Sequence, residues 1–487
     1  MNTDTWISRS VSKLLPNSKN TPKAPKVQVQ RSSDAMKKIV NDTLVKPEPA
    51  APGRAPAPVP GATAAPRSTR ERLAATLRQQ PEALSPRVLR RTLQDLQAIV
   101  DPKVSEVEGG RRAQGVAQWY ARATPEERRD CWLLMSEQFV ADAQKAKAAQ
   151  AQYAAAVGTP DEAAAEVRLR RATVSPRRRL LQRFSVLPEG IRFLVDMRAE
   201  MLPQLKANQR LEALDVEMEY MFSTWFDVGF LELRRISWDS PASMLEKLIK
   251  YEAVHDIKSW ADVKNRLDSD RRCYGFFHPR LPDDPLIFVE VALTHDMAGC
   301  ITPLLDESAD AQDLNLATTA IFYSISNTQA GLRGVSFGDS LIKRVVDTLK
   351  SEFPKLRTFV TLSPIPGLRA WLAKSMPELA GQLQDTDVLS LSDKSPLKLR
   401  LLQQAARYVG RETAGGKPLD TVAKFHLGNG ARVERLNWAG DPSAKGIKQS
   451  YGLMVNYLYD LKRLDKHRAM LAQGKIPVSS GVQTLMG

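Results

Sequence analysis

The run Ile321-Phe322-Tyr323-Ser324-Ile325-Ser326, a loop carrying Gly331, Gly334 and Gly338, the apolar stripe Leu341, Ile342, Val345, Val346 and Leu349, and then Phe359-Val360-Thr361-Leu362-Ser363-Pro364-Ile365-Pro366 decide the fold. The first run is rich in β-branched and aromatic residues and predicts a strand. The stripe repeats at 3.6 residues and predicts an amphipathic helix from about Asp339, ending before Pro354. Phe359 to Leu362 predicts a second buried strand. A glycine loop that opens a helix within a βαβ unit places backbone N–H groups and the positive end of the helix dipole toward an anion. A pyrophosphate-bearing ligand such as coenzyme A follows as the first hypothesis. An ordinary strand-to-helix turn is the plainer alternative.

Around this unit the chain divides by composition. Its 487 residues exceed one ordinary core, which predicts two or three domains. Residues 1–67 form a basic arm, dense in Pro and Ala near its end, that cannot pack a core. Residues 68–234 read as an all-helical bundle. Ser68 with Glu71 makes a capping box. Ser85-Pro86, Thr124-Pro125 and Thr159-Pro160 each set a capping hydroxyl before a proline at a first helical position. Leu89, Leu93, Leu96 and Ile99 share one helical face. Residues 235–487 read as mixed α/β, with a strongly apolar strand from Leu286 to Leu293 and a helical insertion near 370–411. Lys424-Phe425-His426-Leu427, Gly428-Asn429-Gly430 and the run from Ala431 to Trp438 read as a β-hairpin that sets His426 on the face opposite Phe425 and Leu427.

Charge and cysteine usage narrow the partners. The net charge is +15, and roughly half of the excess lies in the first 70 residues. The remainder is spread over helical faces, and no nucleic-acid-binding motif accompanies it; nucleic acid is a candidate partner for the arm alone, and attraction of a polyanionic small ligand explains the charge as well. No run approaches the roughly 18 apolar residues of a membrane span. Cys131, Cys273 and Cys300 lie far apart and make neither a disulfide framework nor a zinc site. Together with the lack of a targeting signal, this makes the cytoplasm the expected location. The five histidines show no metal-ligand spacing.

Two side chains stand out in the α/β region. Ser363 falls just past the C-terminal end of a predicted strand, where α/β proteins bind ligands, and Pro364 and Pro366 stiffen it. His426 is the second. The plainer readings are a Ser-Pro turn and a structural histidine. The spacing Arg333-Gly334-Val335-Ser336-Phe337-Gly338 approximates the pyrophosphate loop of the GNAT acyltransferases, with Ser336 where that pattern has its first glycine.

Longer stretches carry a more specific resemblance. Arg235-Ile236-Ser237-Trp238-Asp239-Ser240-Pro241, Glu252-Ala253-Val254-His255, Arg271-Arg272-Cys273-Tyr274, the segment 320–367, Phe425-His426-Leu427, Asn437-Trp438 and Tyr451-Gly452-Leu453-Met454-Val455-Asn456-Tyr457 resemble the malonyl-CoA decarboxylase family. The resemblance implies an α+β fold, an N-terminal all-helical bundle followed by a GNAT-like mixed α/β domain. It implies conversion of malonyl-CoA to acetyl-CoA and CO2 without metal or organic cofactor. The catalytic serine and histidine fall on Ser363 and His426, further active-site positions on Ser324 and Tyr459, and the coenzyme A loop on Arg333, Gly334, Val335, Ser336, Phe337, Gly338 and Asp339. Some family members carry an acid where this chain has Ser336. The helical region is expected to form a homo-oligomer, a dimer or tetramer, with neither nucleic acid nor membrane as partner. An acyl-CoA-dependent N-acyltransferase of the GNAT superfamily is the alternative that the same loop would serve. A coenzyme A-binding scaffold without turnover is a third.

Overall fold

The computed structural model describes residues 84–335, 341–384 and 386–487. The arm 1–67, the Ser68–Glu71 box and the loop positions Ser336, Phe337, Gly338 and Asp339 lie outside the described residues.

The first part of the described chain is helical: α1 (Pro86–Val100), α2 (Glu106–Arg122), α3 (Pro125–Gln138), α4 (Ala143–Ala156), α5 (Glu162–Thr173), α6 (Pro176–Ser185), α7 (Gly190–Met201) and α8 (Glu212–Trp225). Local chemistry sets these starts. Ser85 accepts from the Val88 N–H and caps α1. Thr124 and Glu127 close a reciprocal capping box on α3. The cap expected at Thr159 is not formed. α5 begins two residues beyond Pro160, and Thr159 instead donates its hydroxyl to the carbonyl of Ala156, closing the turn after α4. Leu89, Leu96 and Ile99 are buried as their spacing predicts.

Mixed α/β structure follows: β1 (Glu232–Ile236), α9 (Ala242–Tyr251), α10 (Trp260–Arg266), β2 (Arg271–His278), β3 (Leu281–Thr294), the short α11 (Thr302–Leu305) and β4 (Thr319–Asn327). The next elements are α12 (Leu341–Glu352), β5 (Thr358–Thr361) and β6 (Ser363–Pro364). Helices α13 (Leu368–Ser375), α14 (Pro377–Gln384) and α15 (Pro396–Gly410) stand between β6 and the small β7–β8 ribbon (Thr413–Ala414, Lys417–Pro418). The chain then runs through α16 (Thr421–Gly428), β9 (Arg432–Asn437), α17 (Ala444–Ser450), β10 (Met454–Leu458), α18 (Leu464–Ala472) and α19 (Ser480–Met486).

The main sheet has the order β1-β2-β3-β4-β5-β10-β6, with β9 also paired to β10. β1 to β4 form an antiparallel meander, whereas β4 and β5 run parallel with α12 as their crossover. Their pairing covers only Thr319–Phe322 of β4 against Thr358–Thr361 of β5. β4 runs on to Asn327, while β5 ends at Thr361 and the chain continues as β6, which pairs with β10. The expected α+β order, helical first and mixed α/β second, is the one observed. A single apolar cluster joins the regions, taking in Leu194, Val195, Met218 and Phe222 from the helices and Phe276, Val291, Phe322 and Phe359 from the sheet.

The hairpin expected around His426 is corrected. Lys424 to Leu427 belong to α16, because Asp420 accepts from the N–H groups of Val422 and Ala423 and starts a helix there. Ala423, His426 and Leu427 then share its buried face at i, i+3 and i+4, and the chain reaches β9 only after Gly430, at φ +87°.

Candidate active site

Where β5 ends, the strand breaks at Leu362 and resumes as β6. Thr361 and Ser363, two residues apart, present their hydroxyls to one face of the sheet. α16 lies over that face. His426 Nε2 lies 3.2 Å from Ser363 Oγ, and Nδ1 lies 2.8 Å from the Tyr459 hydroxyl, just beyond β10. Ser363 donates in turn to Thr361 Oγ1 at 2.8 Å. The His426 ring stacks on Tyr457, with centroids 4.8 Å apart and planes at 27°. Phe322 and Phe425 pack edgewise on Tyr459 and His426 respectively.

The centre is dry. Ser363, His426 and Tyr459 are 5%, 3% and 3% exposed. Burial drives the His426 imidazole down to about 3, so it is neutral at physiological pH, and burial raises Tyr459 well above an ordinary phenol. A neutral histidine flanked by two hydroxyls can pass a proton along a line without any group in it carrying charge at rest.

Asp420 ties the halves together. One carboxylate oxygen caps α16, and the other accepts from the N–H of Gly367 at 3.3 Å, in the turn that follows Ser363-Pro364-Ile365-Pro366. A Cβ at Gly367 would meet the Tyr408 hydroxyl at 2.1 Å, so a side chain there would have to displace Tyr408. Asp420 was not singled out in the sequence, although an Asp set before Thr421-Val422-Ala423-Lys424 is a helix-start signal.

Ser324 is placed elsewhere. The β3–β4 register shifts between Glu290 and Val291, so that Tyr323 is an extra residue in β4 and Ser324 pairs with Glu290. The bulge turns Ser324 away from the face that Phe322 shares with Tyr459. Its hydroxyl donates to the Glu252 carboxylate at 2.7–2.8 Å, and Ser326 donates to the same group at 3.1 Å. The N–H groups of Val254 and His255 complete the shell of Glu252.

The described part of the glycine loop is held from the helical region. Arg198 of α7, only 1% exposed, donates to the carbonyls of Gly331 and Arg333 at 2.8 Å each and to Asp215 at 2.7 Å. Gly331 sits so close to α7 that a Cβ would lie 1.9 Å from the Val195 carbonyl oxygen. Gly334 takes φ +84°, which favours glycine. Arg333 is exposed and Val335 buried. Beside the start of α12 a cavity of about 220 Å³ is lined by Ile342, Lys343, Val346, Asn429, Tyr459, Leu461, Leu464 and Arg468. Tyr459 therefore borders both this cavity and the buried histidine. Among the described residues no three His, Cys, Asp or Glu side chains are placed to hold a metal ion, and no helix is long and apolar enough to cross a membrane.

The parallel β4–β5 pair with its crossover helix α12, beside a buried Ser–His–Tyr line, defines a mixed α/β domain joined to a helical region. Residues 229–487 match the malonyl-CoA decarboxylase C-terminal domain, and residues 139–226 match the N-terminal domain. The chain is 39% identical over 335 residues to the mitochondrial malonyl-CoA decarboxylase of Rattus norvegicus, covering 61% of this chain and 68% of the relative. It is 36% identical to that of Anser anser anser, with 61% and 66% covered. The solved malonyl-CoA decarboxylase of Rhodopseudomonas palustris superposes with a TM-score of 0.74 at 40% identity, over 81% of this chain and 99% of that one. That of Cupriavidus metallidurans gives 0.67 at 42%, over 82% and 100%. The chain belongs to the malonyl-CoA decarboxylase family.

Proposed function

We propose that this chain converts malonyl-CoA to acetyl-CoA and CO2, with the chemistry at Ser363, His426 and Tyr459. The observation that carries the reading is the line Tyr459–His426–Ser363, buried just past the end of β5 and bordered by the cavity beside α12. Breaking the bond from the methylene carbon to the carboxylate releases CO2 and leaves its electron pair as a thioester enolate. The site must stabilise that oxygen and deliver a proton to carbon. Fixed hydroxyl and imidazole dipoles in a dry site do this without reorganising, and one positioned donor is typically worth about 3–4 kcal/mol. His426 supplies the proton, and Ser363 stands between it and the substrate to orient the carboxylate and relay the proton. Tyr459 restores the imidazole from the cavity side. Ser324, bonded to Glu252 on the other face of the sheet, acts in this reading only through that carboxylate.

The coenzyme A pyrophosphate is assigned to the loop 333–339 at the head of α12, with Lys343 and Arg468 at the rim of the adjoining cavity adding positive charge. The division into an arm (1–67), a helical domain for assembly (68–234) and a catalytic domain (235–487), the homo-oligomer and the cytoplasmic location belong to the same proposal. Purified protein given malonyl-CoA alone should form acetyl-CoA and CO2 in equal amounts with no acceptor present. Tight coenzyme A binding without CO2 release would overturn the reading, and dependence on an added amine would favour the acyltransferase.

A further inference from the structure

We propose that Thr361 is a positioning residue that dictates which nitrogen of His426 carries the proton. The inference rests on the decarboxylase reading for its turnover readout only. It starts from an interruption in the sheet. β10 pairs with β5 at Leu458–Val360 and with β6 at Val455–Ser363. Between these points side chains replace the backbone ladder. Asn456 Nδ2 donates to the Thr361 carbonyl at 2.7 Å, and the Tyr457 N–H donates to Thr361 Oγ1 at 3.1 Å. Thr361 is wholly buried and β-branched, so this backbone amide pins its hydroxyl oxygen in one place.

That pinned oxygen is the acceptor for Ser363. A hydroxyl oxygen offers two acceptor positions. On Thr361 one takes the Tyr457 N–H and the other the Ser363 O–H at 2.8 Å. Ser363 has a single proton, now directed at Thr361, so a lone pair faces His426 Nε2. Nε2 must then be the protonated nitrogen. The neutral imidazole leaves Nδ1 bare, and Nδ1 accepts the Tyr459 O–H at 2.8 Å. All donors in the line Tyr459–His426–Ser363–Thr361 point one way.

The direction matters for the last chemical step. When the enolate carbon takes the Ser363 proton, the new C–H bond uses the enolate electron pair, and the serine oxygen takes the Nε2 proton. Nδ1 takes the proton of Tyr459, which recovers one from water in the cavity it borders. The step consumes one solvent proton and leaves His426 as its Nδ1–H tautomer; once product leaves, proton exchange returns it to the Nε2–H form that the Thr361 hydroxyl selects. Without the Thr361 hydroxyl, Ser363 would turn its proton to Nε2, and the imidazole proton would move to Nδ1 and donate to Tyr459. His426 could then not refill Ser363.

The test uses the full chain labelled with 15N-histidine. The five histidines give few enough signals to assign, with His426→Asn removing the relevant one. Wild type should show the Nε2–H tautomer at His426, and Thr361→Val the Nδ1–H tautomer, with kcat lowered at least about tenfold and KM little changed. Thr361→Ser should retain the wild-type tautomer and kcat. A wild-type Nδ1–H tautomer overturns the inference outright, whether or not Thr361→Val folds. So does an unmoved tautomer in Thr361→Val, even with lower stability, since loss of the Tyr457 N–H partner alone would produce that. Inversion in Thr361→Ser as well would assign the effect to packing and count against the inference. The tautomer reads out independently of turnover, so failure of the wild type to decarboxylate malonyl-CoA would strike the proposed function instead.

Discussion

Gly331→Ala separates what the glycine loop owes to the ligand from what it owes to the helices. The added Cβ would fall 1.9 Å from the Val195 carbonyl oxygen and 2.8 Å from its carbon, both backbone atoms that cannot swing aside. Ordinary contact begins near 3.4 Å, so loop and α7 must part by about 1.5 Å. That displacement breaks the 2.8 Å bonds from Arg198 to the Gly331 and Arg333 carbonyls. Charge-assisted bonds of this kind contribute about 1.5–3 kcal/mol each, and overpacking alone costs about 1–3 kcal/mol. Asp215 and Glu219 still pair with the Arg198 guanidinium, which limits the damage. The expected loss is about 2–4 kcal/mol of stability, a fall of several degrees in the unfolding midpoint, and about tenfold weaker coenzyme A binding. Thermal unfolding followed by circular dichroism and calorimetric titration with coenzyme A measure both. Wild-type values for both quantities in Gly331→Ala would refute the claim that α7 sets the position of this loop.

Two further outcomes follow from the buried line. The folded-state pKa of His426 lies at about 3, below its ordinary 6.5, so the stability tied to its neutral form is complete above pH 6.5 and lost as pH falls toward 3. Between about pH 6 and 4 the wild type should lose about 1.4 kcal/mol per pH unit more than His426→Asn in chemical denaturation, and parallel curves would contradict this. Tyr459→Phe removes the O–H at 2.8 Å from Nδ1, and steady-state kinetics should show kcat lowered about 10- to 100-fold with KM near wild type. An unchanged kcat would remove Tyr459 from the proton line.

The βαβ unit was legible because its signals are local and redundant: a β-branched strand, a stripe at helical period, and a proline that stops the helix. Ser363 was legible from its place beyond a strand end. The helix bearing His426 was misread because a run of four residues fits either period, and the deciding cue, the Asp420 cap, lies six residues upstream. The face of Ser324 depends on the bulge at Tyr323, which nothing in the local sequence marks. Gly331 was read with the anion loop, yet its small size answers to Val195, a contact that only the tertiary fold reveals. Asp420 and Thr361 likewise gain their meaning from partners brought together by folding.

The proposed function requires Ser363 and His426 to perform the chemistry while the loop before α12 holds the coenzyme. Turnover of malonyl-CoA by Ser363→Ala and His426→Asn, measured beside their affinity for coenzyme A, tests it most directly. Each variant should lose at least about 100-fold in kcat with coenzyme A affinity near that of the wild type. Near-normal turnover in His426→Asn would show that the histidine does not supply the proton.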